Sequence, residues 1–211
     1  NAATIAGLSH ATRGDWMAGL EVLQRAREFS PDPFETAFIL ACLGKAHAEG
    51  GDAAQAISVL QQAVELGDQV RSWQYRQWFR TMLGEAYLLS GQMAKAREVA
   101  AEALEGCTSV SFSLGIGWSH QVIGRVAQAE GALAEAERHL TDALQTFASI
   151  RARFETGRTH FFLAALAAAR ADREGSAANL RDAHALFTAL RCPRHAERTE
   201  ALARELGLSL S

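Results

Sequence analysis

The sequence predicts an all-α fold: a right-handed α-solenoid of about five helix pairs followed by a C-terminal capping helix. One observation is that only Pro31, Pro33 and Pro193 are proline, so no proline interrupts a helix over about 160 residues. The second is that apolar residues recur at the helical period, without strand-like alternation. The third is that the chain repeats itself every 40 residues, which is typical of stacked helical units.

The repeat is visible in two series of segments, one for each helix of a pair. The first-helix series is LGKAH, LGEAY, IGRVA and LAALA at 43–47, 83–87, 123–127 and 163–167. The second-helix series is AISVLQQA, AREVAAEA, AERHLTDA and SAANLRDA at 56–63, 96–103, 136–143 and 176–183. A further copy, AGLSH at 6–10 with GLEVLQRA at 19–26, leads the chain. Five helix pairs follow from this spacing.

Small residues mark where paired helices must approach closely. On the first helices they are Gly7, Gly44, Gly84, Gly124 and Ala164, and on the second they are Gly19, Ala56, Ala96, Ala136 and Ser176. Glycines that end a first helix with positive φ are expected at Gly14, Gly51, Gly91 and Gly131. Asp32, Pro33 and Glu35 form a helix start for the second pair. Residues 193–211 predict a cap helix with apolar Ala196, Leu202 and Leu206, ended by Gly207.

These motifs resemble the tetratricopeptide repeat, whose first helix carries L-G-x2-Y and whose second carries A-x3-F-x2-A. The clearest copy has Leu83, Gly84, Tyr87, Ala96 and Ala103 in register. The period is 40 residues rather than about 34, His10 and His47 replace the Tyr, and the terminal Pro is absent. The 40-residue form resembles helical regions at the C-terminal side of large bacterial signalling proteins. The expected organisation is one domain, with the repeats in 1–192 and the cap in 193–211.

Composition limits the classes of function. Net charge is −3 with a pI near 6.2. Residues one repeat apart on the first helices alternate in charge, as Lys45, Glu85 and Arg125. Both observations argue against a basic surface that binds nucleic-acid phosphates. No apolar run reaches membrane-span length, and no secretory signal pattern opens the chain. Three cysteines without CxxC spacing favour a reducing cytoplasm.

The resemblance implies a concave groove lined by the first helices. Phe38, Trp78, Trp118 and Arg158 are one repeat apart and should stack along it. The predicted partner-binding residues are Phe38, Lys45, Trp78, Glu85, Leu89, Trp118, Arg125, Arg158 and Phe161. The alternative is that the aromatic residues pack between neighbouring repeats.

The stretch RSWQYRQWFR at 71–80 concentrates aromatic and cationic residues in the third pair. At about 100° per residue, Phe79 and Tyr87 share the face of Leu83 and are predicted core, with Arg76 beside them. Trp78 lies about 140° away on the helical wheel. Trp78 is therefore predicted to lie outside the core of its own helix pair and to be available for binding. Its replacement by Ala is expected to reduce the stability of the protein only slightly.

Catalytic, metal and cofactor sites are not expected. His120 and His160 lie one repeat apart, but the sequence offers no third ligand, so both are predicted to be structural. His139 and His184 are expected at the surface, and Cys192 beside Pro193 is a candidate exposed thiol. Neither a phosphate loop nor HExxH occurs.

The predicted function is a non-enzymatic module that binds a protein or peptide segment, as the regulatory or sensory region of a larger cytoplasmic bacterial signalling protein. Neither nucleic acid nor membrane is an expected partner, and a homo-oligomer is possible. Two alternatives stay open: a groove that senses a small molecule, and a scaffold that only self-associates.

Overall fold

The computed structural model describes residues 2–30, 32–70 and 73–210, and the regular secondary structure in these ranges is α-helical. The side chains of Trp73 and Gln74 are outside this description. Eleven helices occur in these ranges: α1 (Ala2–Thr12), α2 (Trp16–Glu28), α3 (Pro33–Glu49), α4 (Ala53–Gln69), α5 (Trp73–Leu89), α6 (Met93–Ser109), α7 (Ser113–Ala129), α8 (Leu133–Ser149), α9 (Arg153–Ala169), α10 (Arg173–Ala189) and α11 (Pro193–Glu205). The predicted all-α class of five helix pairs and a terminal helix is confirmed.

The chain divides into two compact units, Asn1–Gly115 and Ile116–Ser211, and the division falls inside α7. In the first unit each odd-numbered helix packs on the next helix in the chain, and α3 also contacts α1 and α5. In the second unit α9 packs on α8 and α10, and α11 packs on α10. Among the described residues, no helix is both long and apolar enough to span a membrane.

The predicted close approaches between paired helices are present. A Cβ on Gly124 of α7 would stand 2.9 Å from Cγ of Leu140 on α8, so a larger side chain would push the two helices apart. In the last pair, the Ser176 hydroxyl donates to the carbonyl of Ala164 at 3.0 Å. The small residues therefore act where the backbones meet.

In each of the last four pairs, the second helix has a buried stripe of four residues on one face. Successive members of the stripe are four, three and four positions apart in the sequence. This is the stripe expected for one face of a helix. Its members are Ala56, Leu60, Ala63 and Gly67 in α4; Ala96, Ala100, Ala103 and Cys107 in α6; Ala136, Leu140, Ala143 and Phe147 in α8; and Ser176, Leu180, Ala183 and Phe187 in α10.

The fourth position of this stripe changes in size, and a facing residue changes with it. A Cβ on Gly67 would stand 3.1 Å from the ring of Phe79 in α5. Later in the chain the ring occupies the fourth stripe position and the glycine faces it. There a Cβ on Gly117 of α7 would stand 2.5 Å from the ring of Phe147 in α8. Each ring thus fills the space left by a missing side chain, as close packing requires.

The capping helix α11 uses its predicted apolar face. Leu202 and Leu206 pack on the cluster that contains Leu180, and Ala196 packs on the cluster around Phe187. Gly207 follows the helix with φ of 62°, as expected for a residue that ends it.

The turn inside each pair needs a residue with positive φ. Gly131 has φ of 80° and Ala171, one repeat later, has φ of 59°. The backbone hydrogen bonds are the same in both turns: the next residue donates to the carbonyl of Ala127 at 2.8 Å and of Ala167 at 2.9 Å. Ala171 therefore adopts the left-handed backbone conformation that a glycine adopts at the same place in the turns of the preceding pairs.

We expect Ala171→Gly to raise the free energy of unfolding by about 1 kcal/mol, because it removes the cost of a left-handed Cβ. Gly131→Ala is the matched control and should lower it by about the same amount, since a Cβ there contacts nothing within 4 Å. Urea denaturation followed by circular dichroism measures both. Equal destabilisation by the two substitutions would contradict the conformational explanation.

Candidate partner-binding face

Four aromatic rings meet between α3 and α5, and we name them the aromatic cluster: Phe34, Phe38, Tyr75 and Trp78. Ring centroids are 5.1 Å apart for Phe34 and Tyr75, 5.7 Å for Phe38 and Tyr75, and 5.0 Å for Phe38 and Trp78. Most of these contacts are edge-on, an arrangement that aromatic quadrupoles favour.

Helix geometry explains why these rings converge. Phe34 and Phe38 are four residues apart on α3, and Tyr75 and Trp78 are three apart on α5, so each pair shares a face. The start of α3 is fixed by Asp32, whose carboxylate accepts the N–H of Glu35 at 2.8 Å. The predicted helix start at this residue is confirmed, and it sets the position of Phe34.

Exposure differs strongly within the aromatic cluster. Trp78 is only 8% exposed, whereas Phe34 and Tyr75 are 36% and 37% exposed. Among the rings of the 71–80 stretch that the structure describes, Tyr75 is therefore the exposed one, and Trp78 is packed. The expectation that Trp78→Ala costs little stability must be corrected, because this ring fills space between α3 and α5.

The other aromatic predictions for α5 are confirmed. Phe79 is fully buried, and Tyr87 is buried with its hydroxyl accepting from Gln61 Nε2 at 3.0 Å. Arg76 lies beside them with Nε 3.2 Å from a carboxylate oxygen of Asp68.

Further along the same two helices, Lys45 joins two carboxylates. Its Nζ lies 2.9 Å from Glu49 on α3 and 2.8 Å from Glu85 on α5. Lys45 is 6% exposed and is held in place rather than extended into solvent. We name this group the Lys45 ion cluster. It ties α3 to α5 at the end opposite the aromatic cluster, and Leu89 follows it with an exposed side chain.

The second unit contains the remaining predicted site residues. Trp118 is half-buried, with its ring centroid 6.5 Å from that of Phe147. Arg125 lies over the ring of Phe162 at 4.3 Å, and Arg158 lies 5.6 Å from the same ring. Cation–π contacts of this kind hold a guanidinium in place.

Two members of the second group have additional partners. Arg158 is buried and pairs with Glu155 at 3.1 Å. Phe161 packs beside Phe162, with centroids 6.0 Å apart, and Arg198 of α11 lies 5.7 Å from its ring.

The structure thus brings together two subsets of the predicted site, Phe38 with Trp78 and Lys45 with Glu85. Arg125 and Arg158 meet through Phe162, which sequence reasoning missed. Phe34, Tyr75 and Glu49 were missed as well. The signal for Phe34 and Glu49 was present, since each lies four residues from a chosen position on α3.

The two histidines expected at the surface are half-buried, and the expectation of an exposed thiol needs correction. His139 and His184 have partners: His139 Nδ1 lies 2.8 Å from His120 Nδ1, and His184 Nε2 lies 2.9 Å from Glu200. Cys192 is buried, not exposed. Burial raises the pKa of Cys42 to about 12 and that of Cys107 to about 11, so these thiols are protonated and unreactive at neutral pH.

Comparison with known proteins supports a repeat fold. Residues 78–149 match the family model for the tetratricopeptide repeat. No curated protein matches the chain in sequence.

Solved structures match over nearly the whole chain. A Rap protein complexed with Competence and Sporulation Factor has a TM-score of 0.82 at 12% identity, over 95% of this chain and 57% of that one. Aspartyl phosphate phosphatase F from Bacillus subtilis has a TM-score of 0.69 at 12% identity, over 95% and 54%. A signal-transduction ATPase with a tetratricopeptide repeat sensor from Pyrococcus horikoshii has a TM-score of 0.65 at 16% identity, over 94% and 31%.

The chain therefore spans little more than half the length of the first two of these structures. At such low identity the likeness shows the fold alone. The family model shows tetratricopeptide repeats in residues 78–149, and the helix pairs on either side of this segment have the same helix-pair architecture.

Proposed function

We propose that the chain is a non-enzymatic interaction module that binds a peptide segment of a partner protein on the α3/α5 face. The observation that carries the proposal is the aromatic cluster, in which two packed rings support two exposed ones. Tetratricopeptide repeats generally serve as scaffolds for protein–protein interaction, which supports this role.

The aromatic cluster has the properties of an interface anchor. Phe34 and Tyr75 expose about a third of their surface, so a partner side chain can bury it further. Tyr75 packs against Phe38 and Trp78, with ring centroids 5.7 and 6.3 Å apart, and Phe34 packs against Tyr75, which limits the entropy that these rings lose on binding. Large, preorganised aromatic residues of this kind dominate binding energies at protein interfaces.

The Lys45 ion cluster supplies polar specificity about two helical turns further along the same two helices. Its carboxylates are held by Lys45 at 2.8 and 2.9 Å, so their direction is set before a partner arrives. A peptide with an apolar or aromatic anchor and a hydrogen-bond donor at a fixed distance from it fits this arrangement.

The wider role we propose is the regulatory or sensory region of a larger bacterial signalling protein in the cytoplasm. The Rap protein structure is a complex with Competence and Sporulation Factor, and the Pyrococcus horikoshii ATPase carries its repeats as a sensor. Both support a sensing role for such a fold. Three unpaired cysteines agree with a reducing compartment.

A phage-displayed library of random 12-residue peptides, selected on the full chain, tests the binding face. Selected peptides, titrated by fluorescence anisotropy, should bind Tyr75→Ala about 30-fold more weakly or worse, the loss at a hot spot of about 2 kcal/mol. Tyr75→Phe should retain most of the affinity, because the ring supplies the contact area.

Met17→Ala is the control, since Met17 is an exposed apolar residue of the same unit at the start of α2. It should bind the selected peptides as the unsubstituted protein does. If Tyr75→Ala remains folded and binds equally well, the aromatic cluster is not the binding face. If the selection yields no peptide at all, the peptide-binding proposal is wrong for this unit.

A further inference from the structure

Three side chains with metal-binding atoms converge between α7 and α8: His120, His139 and Asp142. Their ligand atoms lie within 4.8 Å of one another, and all three residues are partly exposed. The two Nδ1 atoms are 2.8 Å apart, and a carboxylate oxygen of Asp142 lies 4.0 Å from Nδ1 of His120. His139 and Asp142 are three residues apart on α8, so helix geometry places them on one face.

The next repeat supplies an internal comparison, because the same three positions recur 40 residues later as His160, Asn179 and Asp182. There His160 Nδ1 lies 2.8 Å from the amide oxygen of Asn179, and Asn179 Nδ2 donates to the carbonyl of Gly175 at 2.9 Å. The amide is thus oriented as an acceptor, and the imidazole of His160 serves as the donor. That pair is a complete hydrogen bond.

The pair in α7 and α8 also lies at hydrogen-bonding distance, but an imidazole replaces the amide, and either imidazole can carry its proton on Nε2 instead of Nδ1. A neutral imidazole offers a lone pair at one ring nitrogen, so two of them can direct two lone pairs at one point. The preceding repeat has Arg80, Val99 and Glu102 in this register, so it does not repeat the two imidazoles. The His–His–Asp combination therefore belongs to one repeat and is not required by the fold.

The groups around the two imidazoles carry charges of both signs. Burial, followed by the proximity of His139, lowers the pKa of His120, which keeps it neutral at neutral pH. The Asp142 carboxylate opposes this effect and supplies negative charge, while Arg138 adds positive charge nearby. One Arg138 nitrogen lies 3.4 Å from Nε2 of His139, the ring nitrogen that does not face His120.

We propose that His120, His139 and Asp142 bind one divalent transition-metal ion, with Zn²⁺ as the best-suited ion. Two imidazoles and a carboxylate are ligands that Zn²⁺ takes in proteins, and three protein ligands leave one tetrahedral position open. Two nitrogens on such an ion stand about 3.3 Å apart, so the rings need to separate by only about 0.5 Å. The expectation of no metal site considered His120 with His160 and found no third ligand, whereas the structure brings His139 and Asp142 to His120.

Isothermal titration of the full chain with ZnCl₂ tests the proposal. We expect one equivalent to bind, and His139→Asn to weaken binding by more than about 100-fold, since even residues that only orient ligands contribute 10–100-fold. Asn is the residue that the next repeat carries in this register, so the variant is expected to fold. Asn179→His should create a second binding site for Zn²⁺.

Two controls separate this site from adventitious binding. His184→Asn removes a histidine of similar exposure that faces only Glu200, and it should leave the affinity and stoichiometry unchanged. The visible absorption of bound Co²⁺ should be lost in His139→Asn and in Asp142→Asn. The proposal is overturned if the unsubstituted chain binds no equivalent of Zn²⁺, or if His139→Asn binds it with unchanged affinity.

Discussion

Replacing Trp78 with Ala is expected to lower the free energy of unfolding by about 3–5 kcal/mol, the range for emptying a buried aromatic site. The ring is 8% exposed and lies 5.0 Å from Phe38 and 5.8 Å from Phe79, so its removal leaves a cavity between α3 and α5. Urea denaturation followed by circular dichroism measures the loss.

Two comparison variants make this result interpretable. Tyr87→Ala should cost a similar amount, because Tyr87 is buried and hydrogen-bonded to Gln61. Trp118→Ala should cost less than Trp78→Ala, since the Trp118 side chain is only half-buried. A Trp78→Ala protein as stable as the unsubstituted chain would contradict the packed position of this ring.

Replacing Lys45 with Met is expected to cost about 3 kcal/mol, because it leaves the carboxylates of Glu49 and Glu85 close together without the cation that joins them. Met preserves the length and apolar stem of Lys, so the loss reports mainly on charge. Thermal and urea unfolding both measure it.

Lys95→Met is the matched control, since Lys95 is exposed and its ammonium lies 5.4 Å from the Tyr87 ring. Its cost should stay below about 1 kcal/mol, as for other surface positions. Adding Glu85→Gln to Lys45→Met should recover part of the loss, because the second carboxylate no longer carries charge. Equal losses for Lys45→Met and Lys95→Met would show that the Lys45 ion cluster contributes no net stability.

Much of the fold could be predicted from the sequence because the pattern of small residues in each repeat determines where its two helices can approach each other. The 40-residue spacing of small residues predicts which helices pair, and a Cβ on Gly124 would indeed press on Leu140. Gly51, Gly91 and Gly131 all have positive φ, as predicted. The turn at Ala171 shows that the backbone conformation persists where the glycine signal is lost.

The candidate site was less predictable because a helical wheel describes one helix against one partner. Measured from Leu83, Trp78 points away from its own paired helix and looks spare. In the structure α5 also contacts α3, and that neighbour buries Trp78 against Phe38. Tyr75 lies at the edge of the same contact and remains exposed, a difference that depends on how far apart the two helices lie.

The charged residues illustrate the same limit. Lys45 and Glu85 were expected on one face because they are one repeat apart, but the spacing alone does not distinguish charges that line a groove from charges that bind each other. Their 2.8 Å contact requires the actual separation of α3 and α5. His120 and His139 are similar, since they lie on different helices and meet only through pairing.

The change in size at the fourth stripe position, from Gly67 to Phe147 and Phe187, determines where the repeat array can be divided and rejoined without breaking a packing contact. Phe147 and Phe187 fit against Gly117 and Gly157 of their own pairs, so each of these pairs carries its complementary surface with it. Gly67, by contrast, fits Phe79 of the following pair. Duplicating or transplanting the α9–α10 pair as a block should preserve its internal packing, whereas a recombination joint between α4 and α5 separates two halves of one contact. Gene fusions and engineered chimaeras are therefore expected to tolerate junctions in the later part of the chain better than a junction at residues 70–72.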